Sequence, residues 1–193
     1  MQKPSGYDEA RVSGDFTPVR LGGHYCVIKQ VGEKKSSTGK DMIVVLLDFG
    51  DQDDQTGYFK KLFDGDDRDD KKWPFTGSKY IMVNDYQDSK KTSKQFKTFC
   101  SLVEKSNPGF EISWGGDNWG RQFAGKKIGA VYGNVESEYD GNVRMRPEIR
   151  YFCRTDAVEG AAVPEDKLLK KPAAVKPDVS GFFSAPLDEE IPF

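Results

Sequence analysis

From Gly22 onward the chain switches between short apolar runs and polar, glycine-rich breaks. Residues 22–31, GGHYCVIKQV, and 42–49, MIVVLLDF, are separated by KKSSTGK. Small residues in that break mark a turn, so the pair predicts a hairpin with strands near His24–Val31 and Met42–Phe49. The second run is apolar almost throughout, which predicts a mostly buried strand. YFKKLF (58–63) reads as the third strand, and SKYIMVND (78–85) as a further short strand or the approach to a helix. The period then changes: Phe96, Phe99, Cys100 and Val103 fall at i, i+3, i+4 and i+7, one apolar face of a helix. Thr92 and Gln95 have capping-box spacing, and Asn107-Pro108-Gly109 stops the run. Finally KKIGAVYGNVESEY and NVRMRPEIRYFCRT flank Asp140-Gly141, a hairpin signal.

Five strands with one helix between the third and fourth predict a mainly β fold, a five-stranded OB-like barrel. The expected organisation is an extended N-terminal segment over 1–20 and the barrel over 21–157. A linker and acidic tail, rich in Pro, Ala and Lys without period, follow over 158–193 and are expected to be disordered.

Composition sharpens this division. Hydrophobic residues make up 36% of the 193 residues, yet aromatics reach 12%, too many for a wholly disordered chain. Net charge is −2, but the charge is segregated. Residues 51–70 hold eight Asp against three bases, whereas 121–154 hold seven Lys/Arg against four acids. Local field therefore matters more than net charge. Cys26, Cys100 and Cys153 are odd in number and far apart, which fits a reducing cytoplasm rather than a disulfide framework. Neither an apolar leader nor a run long enough to span a membrane is present in the sequence.

Catalytic chemistry has little material. His24 is the single histidine, and no phosphate-binding glycine motif or zinc spacing occurs. Asp15, Glu33 and Lys35 imitate the acid, acid-x-Lys pattern of a metal-dependent nuclease, the main enzymatic rival. The Asp-rich loops lack the Gly and Glu positions of a calcium loop and read as solvated acidic surface. No cofactor or metal is expected.

Binding chemistry is richer. A groove for a single nucleic-acid strand needs bases along the backbone and flat rings for the nucleobases. Trp73, Trp114 and Trp119 all sit in Gly/Pro/Asp-rich loops, where a core role is hard to assign. Tyr58, Tyr80, Tyr132 and Tyr151 are weaker candidates, since strand tyrosines often line a core edge. Lys34, Lys35, Lys40, Arg121, Lys126, Lys127, Arg144 and Arg146 are the candidate phosphate contacts.

The chain closes on LDEEIPF. Asp188, Glu189 and Glu190 ask for a basic patch on a partner, and Ile191, Pro192 and Phe193 for an apolar pocket with a basic group for the carboxylate. This tip resembles that of bacterial single-stranded DNA-binding proteins, where it recruits replication, recombination and repair proteins. The body resembles a phage-type single-stranded DNA-binding family of Gram-positive bacteria and their phages. GKDMIVVLLDF, WPF, FKTFCSLVEKSNPGFEISW, GKKIGAVYGNVESEYDGNVRMRP and VPEDKLLKKP carry that resemblance over about residues 22–172. It implies sequence-independent single-stranded DNA binding in the host cytoplasm, with no membrane role and with homo-oligomerisation open. A protein-only adaptor, with the tail as its active part, is the third reading.

Overall fold

The computed structural model describes residues 1–8 and 17–169. The tip from Asp188 to Phe193, and Asp15, lie outside the described residues. The chain builds β1 (Gly22–Lys35), β2 (Asp41–Phe49), α1 (Tyr58–Asp64), β3 (Ser78–Met82), α2 (Lys94–Ser106), β4 (Lys127–Tyr139) and β5 (Asn142–Cys153). The five strands form one antiparallel sheet in the order β3-β2-β1-β4-β5, open at β3 and β5. No helix among the described residues is long and apolar enough to cross a membrane.

β1 is the middle strand. Its first half pairs with β4 and most of its length with β2, with an irregularity between Ile28 and Gln30. Along β2, Ile43, Val45 and Leu47 face the core, while Met42, Val44 and Leu46 are half-buried. Residues directly opposite share a face, so Val31 and Glu33 lie on the core side with Val45 and Ile43. Lys34 shares the outer face with Met42 and Met82, and Gly32 with Val44 and Tyr80.

Two local expectations are corrected. YFKKLF is helical, not the third strand, and that place is taken by Ser78–Met82. Its apolar residues at 58, 59, 62 and 63 have helical spacing. Buried Asp48 decides the matter: its Oδ1 accepts from the Phe59 N–H (2.9 Å), satisfying an otherwise orphaned donor of the first turn. In α2 the cap is Ser93, whose Oγ accepts from the Phe96 N–H at 3.1 Å, rather than Thr92. Its buried face is Phe96, Phe99, Cys100 and Val103. The β4–β5 turn places Asp140 and Gly141 both at positive φ, the geometry of a type I′ hairpin.

The chain stays on the sheet beyond 157, where the linker was expected to start. Val158 is buried, and Lys167 exchanges backbone hydrogen bonds with Asn134 and Glu136 at 3.0 and 2.8 Å.

The start of β1 is fastened by a buried polar clasp. His24 Nδ1 meets both Asp53 oxygens at 3.0 Å, and Nε2 meets the Arg20 carbonyl at 2.8 Å. Both ring nitrogens thus face oxygen partners. The ring stacks on Phe49 at 4.1 Å. Asp53 also accepts from the Tyr25 and Gln55 N–H groups. Burial pushes the Asp53 carboxyl up, but the hydrogen bonds from His24, Gln55 and Tyr25 outweigh it and hold the group below its ordinary range. Although Asp54 lies close enough to complete a three-ligand cluster, it pairs with Arg20 instead.

Because the folded carboxyl is depressed, its stabilisation is fully present above the unfolded value of about 3.9 and is lost as pH falls through the folded value. Denaturant unfolding at falling pH is expected to show this acid loss, and Asp53→Asn to flatten it. Asp53→Ala is expected to cost about 1–3 kcal/mol or more, since it leaves the buried His24 ring nitrogen and the Tyr25 and Gln55 N–H groups without their acceptor.

Candidate nucleic-acid interface

A groove of about 550 Å³ lies where the ends of β1 and β2 meet the first turn of α2 and the loop 113–119. That loop is held by Gln122, which accepts from the Ser113 N–H and donates to the Ser113 and Trp119 carbonyls at 2.9–3.0 Å. Trp119 begins a short 3-10 turn, Trp119–Phe123, that lies on β1. The contact there is backbone on backbone: a Cβ on Gly120 would stand 2.0 Å from the Val31 carbonyl oxygen. Only glycine lets the turn sit so low.

The turn sets up an aromatic wall. Trp119 packs on Phe123 (4.7 Å between ring centroids) and Phe96 (5.9 Å). Trp114 stacks on Trp119 at 5.5 Å and 22°, and remains 65% exposed. Gly115 and Gly116 follow it, both at positive φ. The Trp119 Nε1–H is buried without an acceptor among the described residues. Lys34 and Lys35 line the same groove, together with Glu33 and Asp41. Lys35 is paired with Asp41. Thus Trp114, Trp119, Lys34 and Lys35 are brought together from two distant stretches of sequence.

A second surface continues from the outer face of β3. Tyr80 and Phe75, 44% and 51% exposed, stack at 6.5 Å, and the Arg146 guanidinium lies 4.7 Å from the Phe75 ring. Arg146 also donates to Glu148 at 2.9 Å. Arg144 stands beside it on the same face of the β4–β5 hairpin, opposite Ser137 as Arg146 is opposite Val135. Lys34 and Met42, on the outer face yet lining the groove, join the two surfaces.

Other candidates lie elsewhere. Tyr132 is fully buried and donates to the Thr76 carbonyl at 3.0 Å, so it is a core residue with no face to offer. Trp73 is half-buried, with its Nε1–H donated to the Leu47 carbonyl at 3.0 Å. Tyr58 donates to the Thr17 carbonyl, and burial pushes its phenol up to about 12. It ties down the N-terminal segment. Lys40 lies over the exposed Tyr86 ring at 4.2 Å. Lys126 covers Phe110 at 4.3 Å, and with Lys127 it lines a separate pocket of about 410 Å³. Arg121 is exposed within the Trp119 turn, and Tyr151 is 46% exposed on β5. Of the nuclease-like trio, Glu33 and Lys35 line the groove.

Sequence reasoning missed Phe75, Phe96 and Tyr86. Phe96 carries only the signal of a helix core face. Phe75 was visible in the Trp-Pro-Phe loop, but its stacking on Tyr80 depends on the β2–β3 register.

Gly120→Ala is expected to lift the turn from β1, costing about 1–3 kcal/mol or more as an overpacked site. Chemical denaturation reads the loss, and a shifted native Trp emission reads the displaced indoles. No family model and no curated protein matches the chain, so the geometry alone bears on its role.

Proposed function

We propose that the protein is a non-catalytic, sequence-tolerant single-stranded DNA-binding protein that acts in DNA replication, recombination or repair. The observation that carries this is the Trp114–Trp119 stack, presented in an open groove beside Lys34 and joined along one sheet face to Tyr80, Phe75 and Arg146. Rings receive the bases, and Lys34, Arg144 and Arg146 follow the phosphates.

The fold proposed for this role is an OB-like barrel opened between β3 and β5. The strand order supports it, and so does Lys79, whose Nζ reaches from β3 to the Ile149 carbonyl of β5 at 2.6 Å. The acidic tip 187–193 is proposed to recruit replication or recombination proteins in the host cytoplasm.

Titration of intrinsic Trp fluorescence with a mixed-sequence single strand tests the reading. Quenching by the single strand, little response to duplex, and weakening as salt rises are expected. No response at low salt removes the proposal. Trp119→Ala and Trp114→Ala are each expected to cost about 1–3 kcal/mol of binding, whereas Tyr132→Phe leaves binding unchanged. Labelled strand kept with Mg²⁺ and protein is expected to stay intact; cleavage lost in Glu33→Ala would favour the nuclease instead. Truncation before Leu187 is expected to abolish capture of replication proteins while leaving DNA binding in place.

A further inference from the structure

The floor of the groove has a charge pattern that does not suit a phosphate. Val31 and Glu33 lie on one face of β1, two residues apart, and the Trp119 turn rests on that face at Val31. The Glu33 carboxylate is therefore the next group along the groove floor from the indole wall. It is exposed and has no ion pair or hydrogen bond among the described residues. Lys35, next on the same face, is already matched by Asp41, and Lys34 lines the groove from the opposite face of the strand. On the floor face the unpaired charge is thus that of Glu33, which holds the strand's backbone to the Lys34 side of the groove and leaves the base as the part that enters.

A base stacked against this wall brings its hydrogen-bonding edge to a carboxylate, an acceptor only. Cytosine and adenine present an exocyclic amino group there, and guanine presents an N–H and an amino group. Thymine presents carbonyl oxygens on both sides of its single N–H. We propose that this groove is a base-reading subsite in which Glu33 selects amino-bearing nucleobases over thymine. The inference rests on the single-strand binding proposed above and adds a preference to it.

Fluorescence anisotropy with labelled oligo-dC and oligo-dT of equal length, at neutral pH and fixed salt, tests it. Oligo-dC is expected to bind roughly tenfold tighter, the discrimination of one carboxylate–cytosine contact. Glu33→Gln supplies the second arm. An amide offers a donor as well as an acceptor, so dT affinity is expected to rise and the preference to collapse. The residue is exposed on a strand, and an unchanged unfolding midpoint shows that the variant is folded. Equal wild-type affinities for the two strands overturn the inference and leave the general binding standing. So does a dC preference that survives Glu33→Gln with both affinities moved by one factor, since stacking strength and bulk charge act that way. Failure of the wild type to bind either strand removes both proposals together.

Discussion

The structure depends on how closely other backbone can lie on β1. At Gly120 the Trp119 turn comes down until only a hydrogen fits between it and the Val31 carbonyl. At Gly23 the segment after β5 does the same, where a Cβ would stand 2.2 Å from the Val158 carbonyl oxygen. The middle strand is thereby overlaid at both ends without side chains intervening. A residue with a Cβ at position 120 would raise the turn and withdraw Trp119 from Phe96 and Phe123. The aromatic wall is therefore a consequence of backbone fit, and the stacked indoles inherit their position from a residue without a side chain.

The aromatic residues divide according to where their polar atoms are engaged. Tyr132, Trp73 and Tyr58 each donate to a backbone carbonyl, of Thr76, Leu47 and Thr17 respectively. Those bonds fasten the 3-10 turn at Phe75–Gly77 and the loop before it to the sheet, and the N-terminal segment to α1. Trp114, Tyr80 and Phe75 instead keep open faces. Fixing the first set gives the second a rigid mount, and in the proposed role a rigid stacking platform would lose little entropy on receiving a base.

The strands and α2 were legible because they follow simple periods. The apolar face of α2 matched residue for residue, and Asp140-Gly141 gave the hairpin. YFKKLF misled because a six-residue run supports either period, and its outcome was set by the Asp48 carboxylate, ten residues upstream of Tyr58 in the chain. The site was half legible. Tryptophans in glycine-rich loops marked the right stretches, yet Trp73 and Trp119 have the same local composition and different fates. One is pinned to a β2 carbonyl; the other stacks beneath Trp114. Pairing of Lys34 with Met42, and of Val44 with Tyr80, is a property of register, which separate runs do not encode.

The open edge of the sheet bears on how the protein meets its partners. An unpaired strand invites another strand unless its composition resists. β5 carries exposed Arg144 and Arg146, followed by half-buried Pro147. Proline withholds a ladder donor and the arginines repel a second copy of themselves, so addition of a like strand is disfavoured. The same arginines suit a phosphate backbone, with Arg146 held over Phe75 by the ring's negative face and by Glu148. A feature that guards the edge against self-association also extends the basic, aromatic surface beyond the groove. Edge protection and the proposed phosphate contact thus select the same two arginines, Arg144 and Arg146.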